Sequence, residues 1–133
     1  MSSETLNPTT IPSPNNIDTG LACLVMLARF HSIAVDPHQI AHEFKETGKS
    51  FTTTEILLAA KKLGLMTKKV KPQLSRLATT PMPAIAAAKD GSFFIIARMD
   101  GDKVLIHDPT VERPEIISQE QLAARWSGEM ILF

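Results

Sequence analysis

The stretch Asp18-Thr19-Gly20 and the nearby Cys23 have residue types that suit the first turn of a helix carrying a nucleophile. A helix N-terminus lowers the pKa of a thiol and stabilises the thiolate, the attacking form in cysteine peptidases. Here the residue before the glycine is a threonine, and the only cysteine lies one helical turn further on. The Thr19 hydroxyl would need a positioned base to attack. The stretch therefore fits an active site, the remains of one, or an ordinary helix start.

Histidine side chains are the obvious candidates for a base or a metal ligand. His38 and His42 are four residues apart on a predicted helix, but no third ligand is near them in sequence, so we predict no metal site. His107 precedes Asp108 on a predicted strand, where successive side chains point to opposite faces. This alternation argues against a His107–Asp108 dyad and favours Asp108 as a turn-forming carboxylate.

The first half of the chain predicts three helices. Asp18 or Thr19 can cap the first, which extends to about His31 and is apolar nearly all round, Phe30 included, as is typical of a buried central helix. The second begins at Asp36-Pro37 and is predicted to end near Gly48. The third begins with the capping box of residues 52–55 and ends at Gly64.

The second half predicts short antiparallel strands joined by turns. Asp90-Gly91 and Asp100-Gly101 are strong hairpin signals between apolar runs. The predicted strands are residues 65–72, 82–89, 93–99, 103–107, 114–118 and 129–133, with one helix capped by Ser118 before the last strand. Helices followed by a meander predict the α+β class, with N-terminal helices packed on an antiparallel sheet.

Composition limits the classes of function. The chain has 133 residues, 44% of them hydrophobic, and its 14 basic and 14 acidic residues cancel, so nothing indicates a nucleic-acid partner. One cysteine fits a reducing compartment, and neither a secretory signal nor a membrane span is visible, so we expect a soluble intracellular chain. Residues 1–16 are polar and proline-rich and are predicted to be a flexible tail, which leaves 17–133 as one folded domain.

Four segments together resemble a known family. "DTGLACLVMLARFH" resembles the Asp-Cys-Gly-x-Ala-Cys-Leu segment of the bacteriocin-processing, double-glycine leader peptidases, which are N-terminal domains of bacterial ABC exporters with a papain-like fold. "SIAVDPHQIAHEF" and "GKSFTTTEILLAAKKLGLMTKKVK" resemble the family's second helix, and its third helix with the strand that follows. "MPAIAAAKDGSFFIIARMDGDKVLIHDP" resembles its histidine hairpin and Asp-Pro. The resemblance covers residues 17–133 and implies a papain-like cysteine peptidase fold.

The family's functional positions carry over one by one. Thr19 stands where the family has its nucleophilic cysteine, and Phe93 stands where it has its histidine. Ser13 takes the place of the oxyanion glutamine, while Asp108 keeps the orienting aspartate. Cys23 matches a second, non-catalytic position. The resemblance implies that Thr19, Phe93, Asp108 and Ser13 are vestigial catalytic positions. We expect Thr19, Cys23, Phe93 and Asp108 to contact substrate in the vestigial cleft; the alternative is that Phe93 fills the groove and another face recognises the substrate.

Within that family, the chain is similar to the degenerate domains of type I secretion exporters of the haemolysin type. This similarity implies a domain that is not an enzyme, needs no cofactor, and recognises unfolded RTX toxin or adhesin substrates on the cytoplasmic side of the inner membrane. The similarity also implies membrane and ATPase domains after Phe133. Any ATP hydrolysis would belong to them, because no G-x-x-x-x-G-K-[ST] loop occurs here. Two alternatives stay open: an active leader peptidase with an unusual nucleophile, and a free-standing papain-like structural domain.

A basic cluster is the remaining feature of the sequence. It comprises Lys61, Lys62, Lys68, Lys69 and Lys71. It is either a solvated face or a patch that faces an acidic substrate segment or the anionic inner leaflet.

Overall fold

Helices form the first part of the domain and strands the second. The computed structural model describes residues 18–44 and 51–133, so the predicted tail and the predicted helix end near Gly48 lie outside the described residues. The elements in chain order are α1 (Thr19–Phe30), α2 (Pro37–Phe44), α3 (Thr53–Lys62), β1 (Lys68–Val70), a 3-10 helix (Leu74–Thr79), β2 (Ala84–Ala88), β3 (Phe93–Asp100), β4 (Lys103–His107), β5 (Glu115–Ser118), α4 (Gln119–Arg125) and β6 (Trp126–Leu132).

Local capping signals set the helix boundaries. The Asp18 carboxylate accepts the Leu21 N–H at 3.3 Å and begins α1. The Glu55 carboxylate accepts the Thr52 N–H at 2.8 Å and completes the capping box of α3. Gly64 follows α3 with φ 85°, a left-handed conformation that glycine adopts without strain. These predicted starts and this stop are confirmed.

The strands form one six-stranded antiparallel sheet in the order β1-β6-β2-β3-β4-β5. The Asp90-Gly91 turn joins β2 and β3, which pair Ala86 with Phe94. The last strand, β6, returns between β1 and β2 and begins at Trp126, three residues before its predicted start at Glu129. The predicted α+β class, with helices packed on an antiparallel sheet, is confirmed.

The sheet separates two apolar cores. On one face, α1, α2 and α3 pack against alternate residues of β2, β3 and β6, namely Ile85, Phe93, Ile95 and Ile131. On the other face, Leu77 and Leu122 cover the intervening residues of the same strands, namely Ala84, Ala86, Phe94, Ile96 and Met130. Because both faces are covered, β2 and the first half of β3 are apolar without interruption.

The central helix α1 is buried along most of its length. Cys23, Leu24 and Ala28 are 0% exposed, as expected for a helix that is apolar nearly all round. The prediction for Phe30 is wrong, because this side chain is 65% exposed at the last residue of the helix. Its ring meets the edge of the His31 ring with centroids 5.4 Å apart. Within the described ranges, no helix has both the length and the apolarity needed to cross a bilayer.

Replacing Gly20 by alanine should destabilise the fold. A Cβ there would lie 2.9 Å from the Phe51 carbonyl oxygen and 3.2 Å from Phe93 Cδ2. We expect overpacking to lower the free energy of unfolding, measured in urea, by about 1–3 kcal/mol. The higher helix propensity of alanine offsets about 1 kcal/mol of this loss. Thr54→Ala on the exposed side of α3 is the control and should stay within about 0.5 kcal/mol. A stabilised Gly20→Ala variant would contradict the close packing.

Candidate functional site

The start of α1 is held against two other segments. Asp18 accepts the Phe51 N–H through both carboxylate oxygens, at 3.1 and 3.3 Å. The Thr19 hydroxyl oxygen accepts the Phe93 N–H at 2.9 Å and so bonds the helix to the first residue of β3. Gly20 lets the helix approach Phe51 and Phe93 closely. These contacts fix the orientation of the helix N-terminus relative to the β2–β3 turn.

An open cleft of about 660 Å³ lies beside this helix end. It is lined by Thr19, Phe51, Ala88, Lys89, Asp90, Gly91, Ser92, Asp108, Thr110, Ala124 and Arg125. These residues come from α1, the segment before α3, the end of β2 and the β2–β3 turn, the segment after β4, and the end of α4. The cleft therefore lies where the family resemblance places a peptidase active site.

Asp108 and Arg125 form an ion pair in the cleft wall. Arg125 Nη2 donates to Asp108 Oδ2 at 2.8 Å, and the Arg125 guanidinium lies 4.7 Å from the centre of the Phe94 ring. Asp108 Oδ1 also accepts the N–H and the hydroxyl of Thr110, at 2.9 and 2.7 Å. Burial opposes the charge, but the hydrogen bonds from Thr110 and Arg125 outweigh it and lower the pKa of the Asp108 carboxyl. Asp108 is thus ionised at neutral pH and is a turn-forming carboxylate as predicted.

The other predicted site residues lie apart from the cleft surface. Phe93 is 7% exposed and packs under Gly20. Cys23 is 0% exposed in the core on the helix side of the sheet. Burial, together with the charge of Asp108, raises the pKa of the Cys23 thiol far above its ordinary value. Of the four predicted substrate contacts, the structure brings Thr19 and Asp108 to the cleft, while Ser13 lies outside the described residues.

His107 pairs with Ile95 in the register of β3 and β4, so its side chain shares a sheet face with Ile95. Asp108 turns instead towards Thr110 and Arg125. In the part of the chain that the structure describes, no three His, Cys, Asp or Glu side chains are grouped so as to hold a metal.

Sequence reasoning missed Arg125 as a residue of the site. Arg125 is 17 residues from Asp108, and the pair forms only because β5 and α4 return the chain to the end of β4. The Asp90-Gly91 turn was predicted, but its position in the cleft depends on the pairing of β2 with β3. The pKa of Asp90 is lowered mainly by hydrogen bonds from the side chain and backbone of Ser92. The cleft therefore carries two carboxylates beside Lys89 and Arg125.

Solved structures share this fold. The N-terminal peptidase C39-like domain of the toxin secretion ATP-binding protein from Vibrio parahaemolyticus superposes with a TM-score of 0.76 at 21% identity, over 87% of this chain and 95% of that one. A double glycine motif protease from an AMS/PCAT transporter, in complex with the leader peptide, superposes with a TM-score of 0.80 at 19% identity, over 92% of this chain and 86% of that one. The expected papain-like peptidase fold is confirmed.

The chain belongs to the Peptidase C39 family, whose sequence pattern matches residues 9–133. The cyclolysin secretion/processing ATP-binding protein CyaB of Bordetella pertussis is 39% identical over 117 residues, which are 86% of this chain and 16% of the relative. The chain thus spans a small part of the length of the relatives that it matches. The expected kinship with the peptidase-like domains of toxin-secreting ABC exporters is confirmed.

This membership corrects one expectation. The sequence-based expectation that the domain is not an enzyme is wrong, because the family to which the chain belongs is a peptidase family. One of the structures that share its fold is a protease with its leader peptide bound.

The Asp108–Arg125 pair should make stability depend on pH. We expect Asp108→Asn to lose about 1–2 kcal/mol in urea unfolding at neutral pH, because it removes charged hydrogen bonds. The lowered pKa means that ionised Asp108 stabilises the fold above the ordinary aspartate pKa of about 3.9. This contribution is lost as the pH falls through the folded-state pKa, so the wild-type and variant curves should converge in acid. Asp100→Asn at the exposed end of β3 is the control, and an equal pH-dependent difference there would contradict the assignment.

The Cys23 thiol should be unreactive in the folded domain. Because it is fully buried and its pKa is raised, we expect labelling by an aromatic disulfide at neutral pH to be far slower in buffer than in concentrated urea. The release of the coloured thiolate measures the rate. Rapid labelling without denaturant would show that α1 opens readily, contrary to its central position.

Proposed function

We propose that this chain binds an extended segment of an exported polypeptide in the cleft beside Thr19. The observation that carries the proposal is the cleft itself, whose volume of about 660 Å³ falls within the range of about 300–1,000 Å³ common for ligand sites. The contacts of Asp18 and Thr19 with their neighbours hold one wall in place. A preformed wall lowers the entropy cost of binding a disordered ligand.

The chemistry of the cleft suits a peptide. Lys89 and the Asp108–Arg125 ion pair line the cleft together with Asp90, which accepts hydrogen bonds from Ser92, so charges of both signs border a bound polypeptide. Ala124 supplies exposed apolar surface beside them, while Phe51 and Ala88 are buried in the wall. Because an unfolded ligand loses entropy when it is ordered, we expect weak and reversible binding.

The relatives support a role in export. The matched proteins are described as a secretion/processing protein for cyclolysin and as a translocation protein for leukotoxin. We therefore propose that the cargo is an unfolded toxin or adhesin of the RTX type, and that the domain works on the cytoplasmic side of the bacterial inner membrane. Its partners would be the membrane and ATPase domains of the same exporter.

Hydrolysis of a leader peptide in the same cleft is the second candidate. Membership of the peptidase family favours it, and the Thr19 hydroxyl, which the family resemblance aligns with the nucleophilic cysteine, lines the cleft. The start of a helix is also a favourable place for a developing negative charge. Binding and hydrolysis would use the same surface, so variants of the cleft residues test both.

Two neighbouring alanines of α4 offer a matched test. Ala124 lines the cleft, whereas Ala123 is exposed beside it. We expect Ala124→Arg to weaken binding of a calcium-free, unfolded RTX-repeat polypeptide by about tenfold or more, equivalent to about 1.4 kcal/mol, because the new side chain fills the cleft. Ala123→Arg should bind like the wild type. Fluorescence anisotropy of the labelled polypeptide measures both affinities.

The outcomes separate the candidates. Equal weakening by both arginine variants, or amide shifts confined to a face remote from Thr19 and Asp108, would reject the cleft as the binding site. Mass spectrometry of the chain incubated with double-glycine leader peptides reports cleavage, and turnover lost in Thr19→Ala would assign hydrolysis to that hydroxyl. Neither binding nor turnover would favour a purely structural domain.

A further inference from the structure

The C-terminal ends of α1 and α3 lie together at the end of the domain away from the cleft. Phe51 packs on Gly20 at the start of α1 and directly precedes Thr52, the cap of α3, so both helices begin on the same side. The 12 residues of α1 then span about 18 Å. At the far end the His31 ring stacks on Phe133, with centroids 6.5 Å apart.

Apolar side chains are exposed at this far end. Phe30 is 65%, Leu58 is 52% and Met66 is 90% exposed, three of the five large hydrophobic residues that are exposed in the described ranges. Leu58 lies one helical turn before Lys61 and Lys62. Met66 comes two residues before Lys68, which pairs with Leu132 at the end of β6. Phe30 and Met66 therefore lie near the point where α1, α3 and β6 end, and Leu58 lies about one turn before the end of α3.

Cations lie among the exposed apolar residues. Arg29, Lys61 and Lys68 are exposed, and the ion pairs seen among residues 18–44 and 51–133 do not include them. Lys62 is paired with Glu43, and the exposed Asp36 binds the backbone N–H of His38 at the start of α2. We name this surface the basic–apolar end. It comprises Arg29, Phe30, Leu58, Lys61, Met66 and Lys68.

The helix dipole explains only part of the pattern. Cations near helix C-termini complement the helix dipole, which accounts for Arg29 and Lys61. It does not account for Lys68 on a strand, or for a methionine that is 90% exposed. A net charge of zero for the whole chain also means that any attraction to an anion must be local.

We propose that the basic–apolar end binds the surface of a bilayer that contains anionic lipids. Exposed apolar side chains ringed by lysine and arginine are typical of interfacial binding, in which the apolar groups enter the headgroup region and the cations approach lipid phosphates. Phe30 and Met66 are the side chains that enter, and Arg29, Lys61 and Lys68 make the electrostatic contacts. The cleft then faces away from the bilayer, open to a polypeptide arriving from the aqueous side. This proposal is independent of what the cleft binds.

Vesicle co-sedimentation of the 133-residue chain tests the proposal. We expect the chain to sediment with phosphatidylcholine vesicles that contain phosphatidylglycerol, and to stay in the supernatant with phosphatidylcholine alone. Added salt should release it, because the attraction is screened. The double variant Lys61→Glu/Lys68→Glu should bind at least about 25-fold more weakly, at about fivefold per cation removed.

The control is a double variant with the same change in charge elsewhere. Lys103→Glu/Arg113→Glu alters exposed residues near β4 and β5, at the opposite edge of the sheet from β1. It should retain most of the binding. Equal loss in both double variants, or equal sedimentation with both kinds of vesicle, would overturn the proposal.

Insertion of Met66 has its own readout. Trp126, the only tryptophan, is 6% exposed, so the emission of a Met66→Trp variant reports chiefly on position 66. We expect this emission to shift to shorter wavelength on adding phosphatidylglycerol vesicles. An unchanged spectrum at saturating vesicles would overturn the assignment of Met66 to the headgroup region. Binding to a poly-glutamate peptide, with none to vesicles, would instead assign the surface to an acidic polypeptide.

Discussion

The close contact between the start of α1, Phe51 and the first residue of β3 is the constraint on which the rest of the domain depends. Asp18 and Thr19 each accept a backbone N–H from a distant segment. Phe51 and Phe93 approach Gly20 so closely that this position has no room for a side chain. Both N–H groups are in partly buried surroundings, where an unpaired donor is costly. This contact brings helix and sheet together, and the cleft is the space that remains beside it.

The two faces of the sheet pack against different elements, and one of them supports the cleft wall. Phe93 and Ile95 pack under the helices, while Phe94 and Ile96 pack on the other side. Phe94 also lies against the Arg125 guanidinium, which in turn holds Asp108. The cleft wall is therefore supported by Phe94, a core residue on the sheet face that points away from α1. A change in that core can alter the cleft without touching any residue that lines it.

Signals within a few residues of each other made much of the fold predictable. The Asp18 cap, the capping box of α3 and the Asp-Gly turns specify where elements begin and end, whatever the tertiary structure. The position of Arg125 beside Asp108 could not be predicted, because it requires the path of two intervening elements. Phe30 is exposed at the last residue of α1, and hydrophobic periodicity does not report how far the core extends along a helix. The expectation of a non-enzyme failed because the differences inferred from the resemblance at Thr19, Phe93 and Ser13 were weighed above membership of a peptidase family.

The length of α1 connects two surfaces of the domain. Its first turn is clamped at Thr19, and its last residues, Arg29 and Phe30, are exposed at the other end. Removing one residue from the middle would rotate everything beyond it by about 100° and shorten the helix by about 1.5 Å. The angle between the cleft and the far surface is therefore set by how many residues the helix contains. Its buried side chains tolerate little change in volume, and an insertion or a deletion there would also rotate the two surfaces relative to each other.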